Sequence, residues 1–224
     1  MNSIIDDSLR RRPSKPRPND VLYVTDLTKP CQRKAYMDIK DPQMYSVETL
    51  RIFEAGNILE DYWIKLLEDT PDITVLGSQL PARYYGSGYS VHGRVDILTQ
   101  NNNGVMTVRE VKTIKSFRYL KEPKPEHVEQ IQFYMNALGV ELGQIDYIDK
   151  SALLSGGTSG VSVDRSFTVV RNPEVYRDLL SRASSLHKSL CEESLPESMK
   201  GWLCDYCPHQ KPCSEHQTPN MEAD

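Results

Sequence analysis

Apolar positions recur along this chain in two rhythms, and each predicts a different element. Leu50, Phe53, Ile58, Tyr62 and Leu66 fall mostly three to five residues apart, which predicts one long helix over roughly 47–69. Ser46 to Leu50 leads into that helical pattern, so Val47 is not a strand position. Strand-like alternation follows in three stretches, Ile73 to Tyr85, Tyr89 to Leu98 and Met106 to Ile114. Asn101-Asn102-Asn103-Gly104 separates the second from the third and reads as the turn of an antiparallel hairpin. Helical spacing returns at Pro125 to Leu142, with Val128, Ile131, Tyr134, Met135 and Leu138 on one face. Gln144 to Leu153 and Ser166 to Arg171 read as further strands. Asn172-Pro173 then opens a last helix, Pro173 to Cys191, with proline at its first position. Near the start, Thr25 is placed to cap a short helix. Helix, three strands, helix, two strands and a helix make a mixed α/β domain around a central sheet.

Composition narrows this picture. The chain has 224 residues, 38% hydrophobic and 26% charged, which is enough to bury a core in one domain. No apolar run approaches the ~18 residues of a membrane span. Met1 to Asp20 lacks the apolar stretch of a secretory signal, so a cytoplasmic protein is expected. The basic, proline-punctuated segment from Arg10 to Pro18 suggests a flexible or extended arm over residues 1–20. Residues 21–213 form the expected domain, and 214–224 a polar tail. A net charge of −4 argues weakly against a nucleic-acid partner. Its distribution argues the other way: residues 51–72 hold two basic against six acidic groups, whereas 109–124 hold six basic against two acidic.

The candidate chemistry sits on the hairpin. Asp96 is on one strand, and Glu110 and Lys112 share a face of the next, with Val111 turned into the core. If the register sets Asp96 beside Glu110, the two carboxylates repel, and a divalent cation such as Mg²⁺ or Mn²⁺ between them relieves the repulsion. A lysine two residues on suits the orientation of a water for attack on a phosphodiester. The plain alternative is a solvated polar face or a surface ion pair. Gln130 and Tyr134 lie one turn apart on the following helix, and Glu60 stands on the long helix.

Five cysteines without an export signal favour a metal site or free thiols over disulfides. Cys204, Cys207 and Cys213 form a C-x₂-C-x₅-C cluster, with Cys31, Cys191, His209 and His216 available as further ligands. The spacing alone leaves zinc with Cys₃His and an iron–sulfur cluster both open.

Taken together, Gly93-x-x-Asp96, Glu110-x-Lys112 and Gln130-x-x-x-Tyr134 resemble the RecB-like nucleases of the PD-(D/E)xK superfamily. With one cysteine before that core and three after it, the chain resembles the CRISPR-associated exonuclease family of that type over residues 21–213. The resemblance implies an α/β nuclease core with a cluster region joining the two ends of the chain. It implies metal-dependent DNA cleavage, with Asp96, Glu110 and the Val111 carbonyl holding Mn²⁺ or Mg²⁺. Lys112 would act on the attacking water, and Gln130 and Tyr134 would support the site and contact DNA. Glu60 stands where that family usually has histidine, and an acidic residue there can still reach a metal. Cys31, Cys204, Cys207 and Cys213 would hold a 4Fe–4S cluster, with 2Fe–2S also known in the family.

The expected function is therefore a single-stranded DNA exonuclease, chiefly 5′ to 3′, that prepares DNA for spacer integration beside CRISPR integrase proteins. A repair or recombination nuclease of viral or cellular origin, or a DNA-binding subunit without cleavage, are the alternatives. Lys115, Arg118, Lys121 and Lys124, with Phe117 and Tyr119 among them, form the expected DNA path.

Overall fold

Ser46 caps the long helix by accepting from the Thr49 backbone N–H, and Val47–Glu68 follows without a break. The computed structural model describes residues 3–11, 17–42, 44–154 and 162–215. In chain order the helices are α1 (Ile4–Arg10), α2 (Val24–Leu27), α3 (Gln32–Lys40), α4 (Val47–Glu68), α5 (Pro125–Leu138), α6 (Lys150–Leu154), α7 (Pro173–Cys191) and α8 (Gln210–Glu215). The strands are β1 (Val21–Tyr23), β2 (Ile73–Gly86), β3 (Tyr89–Asn101), β4 (Met106–Ile114), β5 (Leu142–Asp149) and β6 (Asp164–Val170). No described helix is long and apolar enough to cross a membrane.

One mixed sheet runs β1-β3-β4-β5-β6, with β2 lying antiparallel along the other edge of β3. The main core holds Ile131, Phe133, Tyr134 and Met135 of α5, Leu179, Ala183, Leu186 and Leu190 of α7, and Val108, Ile145 and Tyr147 of the sheet. A second, smaller core joins Leu67 of α4 to Ile97, Val111 and Ile148, with Trp63 packed against it. Between the central strands lies a buried charge pair. Arg109 donates to Asp146 at 2.8 Å, and Trp63, Gln144 and Ser166 also donate to that carboxylate.

Several elements depart from the sequence expectation. The arm is not simply extended: Ser3 caps α1, and Asp6 of that helix pairs with Arg51 of α4. Arg12 and Lys15 lie outside the described residues, as does most of the tail. The short helix begins at Val24, not after a Thr25 cap, and Asp26 accepts from the Tyr23 N–H at 2.8 Å. α5 stops at Leu138 because Gly139 turns left-handed, φ 68°, and closes it. β5 ends at Asp149, whose carboxylate accepts from Ala152 N–H and starts α6, so the expected strand to Leu153 is too long. β1 was not anticipated.

Candidate active site

The site lies at a gap in the sheet. One edge of β3 pairs with β1 up to His92 and with β4 only from Ile97 onward, so Gly93 to Asp96 have no strand beside them there. The pair Ile97↔Arg109 sets Asp96 level with Glu110, the register the sequence required. Beyond it the strands part, and the Val111 N–H donates to Asp96 Oδ2 at 2.8 Å instead of to a strand partner. Tyr134 of α5 fills the gap. Its hydroxyl accepts from Gln130 Nε2 at 3.0 Å and bonds the Arg94 backbone N–H. Gly93 makes this approach possible, because a Cβ there would lie 2.4 Å from Tyr134 Cε1 and 2.7 Å from Val24 Cγ2.

These groups line one cavity of about 390 Å³. Asp96, Glu110, Val111, Lys112, Gln130, Tyr134 and Glu60 all reach its wall, so every expected catalytic and cavity-metal residue is brought together. The Val111 side chain packs in the second core, as expected. Glu110 is fully buried, with Lys112 Nζ 2.6 Å from its Oε1. That contact is a charge-assisted pair, and Asp96 stands beside the same carboxylate.

Electrostatics follow from burial. Loss of water, and then Glu110, push the Asp96 carboxyl up to about 8. Burial likewise raises Glu110, against the pull of Lys112. Glu60 is pushed up to about 7 by burial and by Asp96. Burial works against the Lys112 charge, but Glu110 and Asp96 outweigh it and hold the ammonium above its ordinary value. The cavity therefore concentrates carboxylates that ionise reluctantly around one lysine that stays charged.

Such a site suits a divalent cation. Glu110 offers a fully buried carboxylate level with that of Asp96, and hard oxygen donors match Mg²⁺ or Mn²⁺. Among the described residues no three His, Cys, Asp or Glu side chains are gathered closely enough to hold a metal as they stand. That holds for the cysteines too. Cys31, Cys204, Cys207 and Cys213 are free, half-buried thiols, and Cys191 is exposed. The topology nevertheless joins their two ends of the chain. Cys31 is the residue before α3, and Arg33 of that helix reaches Cys213 Sγ at 3.8 Å and the Pro196 carbonyl at 2.7 Å. His209, buried between Cys207 and Cys213 in sequence, meets Asp38 of α3 at 2.7 Å through Nε2. His216 lies outside the described residues.

Lys115, Arg118, Lys121 and Lys124 line a groove of about 1090 Å³ that continues from β4, together with Tyr119 and Pro123. Tyr119 is 82% exposed, with the Arg118 guanidinium over its ring. Phe117 instead packs against the core under Arg165, and Arg109 is buried on Asp146, so neither belongs to the open path. Arg17 of the arm pairs with Asp26. Sequence reasoning missed Thr25, His92 and Arg94 on the cavity wall. Arg94 was within reach, standing two residues before Asp96 on one strand.

A split sheet carrying paired carboxylates and a lysine, braced by a helix, defines the class of protein. The PD-(D/E)XK nuclease superfamily model matches residues 17–214, and the chain belongs to that superfamily. Among curated proteins it is similar to the CRISPR-associated exonuclease Cas4 of Saccharolobus solfataricus. The two are 26% identical over 151 residues, 65% of this chain and 71% of that protein. Among solved structures it resembles SSO0001, with a TM-score of 0.65 and 20% identity over 96% of this chain and 95% of that one. It also resembles LHK-Exo in complex with dAMP, with a TM-score of 0.55 and 16% identity over 77% and 88%. LHK-Exo is an alkaline exonuclease from Laribacter hongkongensis. These structural likenesses establish the shared fold.

Proposed function

We propose that this nuclease is a metal-dependent exonuclease that degrades single-stranded DNA, chiefly 5′ to 3′, and prepares DNA for CRISPR spacer acquisition in the cytoplasm beside integrase proteins. The observation that carries the catalytic reading is the Glu110 carboxylate, fully buried level with Asp96 and paired with Lys112 at 2.6 Å. A divalent cation held by Asp96, Glu110, the Val111 carbonyl and Glu60 would neutralise charge on the phosphate and lower the pKa of a bound water. Lys112, held charged in the cavity, orients the nucleophile and stabilises the phosphorane-like charge rather than acting as a free base. Tyr134, with Gln130 behind it, fixes the strand gap and faces the DNA. Lys115, Arg118, Lys121 and Lys124 hold the backbone, and Tyr119 offers a stacking face.

The similarity to the CRISPR-associated exonuclease supports the cellular setting. The intact Asp96, Glu110 and Lys112 weigh against a subunit that only binds DNA.

An iron–sulfur cluster on Cys31, Cys204, Cys207 and Cys213, 4Fe–4S in preference to 2Fe–2S, would act as a clip. It would tie α3 to the last described segment and constrain the unfolded chain.

The test is cleavage of single strands labelled at the 5′ or the 3′ end, with Mn²⁺, by anaerobically purified protein of known iron content. Early release of the 5′ label by brown, iron-containing protein is expected. Colourless protein with stoichiometric zinc would remove the cluster, and early 3′ release would reverse the polarity.

A further inference from the structure

β2 contains an anomaly opposite the site. Its register with β3 runs Ser78↔Ile97 and Leu80↔Val95, which leaves Gln79 level with Asp96. Gln79 has φ 54°, the left-handed region, within a strand whose register with β3 also shifts between Val75 and Gly77. Glutamine has no special tolerance for that conformation, unlike glycine or asparagine, so the backbone there is strained and something must hold it. The strain has a local outcome: the Gln79 side chain leaves the alternation of the strand, and its Nε2 donates to Glu60 Oε1 on α4. Its carbonyl Oε1 is buried with no partner, so Glu60 is the amide's one hydrogen-bond partner among the described residues. α4 is exposed or half-buried along its length, with Leu67 its one buried residue, and Glu60 is half-buried on it.

We infer that Gln79 is a positioning residue, which uses its left-handed backbone to hold the Glu60 carboxylate against the cavity for cation binding. This rests on the metal-dependent reading given above. A glutamate side chain turns about three bonds, and an external donor that selects one of its orientations removes that freedom. Gln79 itself touches neither substrate nor metal.

The experiment is a titration of full-length protein with Mn²⁺, followed by the electron paramagnetic resonance of free Mn²⁺, alongside the melting temperature. The variants are Gln79→Gly, Gln79→Asn, Glu60→Ala, Asp96→Ala and the double variant Gln79→Gly/Glu60→Ala. Glycine and asparagine both accept the left-handed backbone but do not reach Glu60. Each is expected to weaken Mn²⁺ binding about tenfold at an unchanged or higher melting temperature. The double variant should bind no more weakly than Glu60→Ala alone, because the two residues act through one contact. Wild-type affinity in Gln79→Gly, or additive losses in the double variant, would overturn the inference while leaving the metal reading intact. Wild-type protein that binds no Mn²⁺, or binds it equally well after Asp96→Ala, would overturn both.

Discussion

Replacing Asp96 by asparagine should stabilise the metal-free protein while destroying its activity. Asparagine keeps the shape of aspartate, and its side-chain oxygen can still accept the Val111 N–H that Asp96 accepts at 2.8 Å. What it removes is a charge facing Glu110. Burial and Glu110 lift Asp96 from 3.8 to about 8. A carboxyl whose folded value lies above its unfolded one favours the fold fully below the unfolded value, and that advantage is lost as pH rises through the folded value. Metal-free wild type should therefore weaken between pH 4 and pH 8. At ~1.36 kcal/mol per unit, the ceiling for Asp96 is about 5 kcal/mol at pH 8 and about a third of that at pH 5. The pair titrates together and water enters on ionisation, so about 2 kcal/mol is the expected gain at pH 8. For a chain of this size that is about 4–8 °C in melting temperature. The assay is thermal unfolding in chelator at pH 5 and pH 8, on protein of matched iron content. An Asp96→Asn variant no more stable than wild type at pH 8, or a gap of equal size at both pH values, would refute the reasoning. Added Mn²⁺ should raise the wild-type melting temperature and leave the variant unmoved.

Lys112→Met should have the opposite sign, losing stability at pH 8 in chelator because Glu110 keeps its burial and loses its ion pair, and costing about 10²-fold or more in cleavage rate. Gly93→Ala forces a Cβ into the Tyr134 ring and Val24, and should cost about 1–3 kcal/mol in urea unfolding along with activity, since the ring that fills the strand gap must move. Tyr119→Ala should weaken the binding of single-stranded DNA by about 1–3 kcal/mol, read by fluorescence anisotropy, with no change in melting temperature because the ring is 82% exposed.

The parts of this molecule that were legible in the sequence are those fixed by local chemistry. α4 carries a serine cap and one sustained apolar rhythm, and α7 opens on Asn172-Pro173, so both appear where the spacing placed them. The Asn-Gly turn aligned β3 with β4, and that single register brought Asp96 level with Glu110. Elements defined by their partners were harder to read. β1 has three residues, too few for a period, and exists because Leu22 pairs with Val91. α1 shows only Ser3, Asp6 and Asp7 as helix signals, beside a run of basic residues and prolines that suggests an extended arm. The same distinction holds at the site. The motif residues converge as their spacing implied, whereas Gln79 lies amid strand-like alternation and its left-handed backbone has no signature in the residue type. Arg109 shows the limit of counting charge: it adds to a basic segment, yet it is buried on Asp146 and faces no DNA.

The central claim is that phosphodiester cleavage takes place in the gap between β3 and β4. The most direct measurement is Mn²⁺-dependent release of nucleotides from end-labelled single-stranded DNA by wild type, Asp96→Ala and Lys112→Ala, each shown to be folded. Degradation by wild type alone is the predicted result. Cleavage that persists in both variants would place the active site elsewhere.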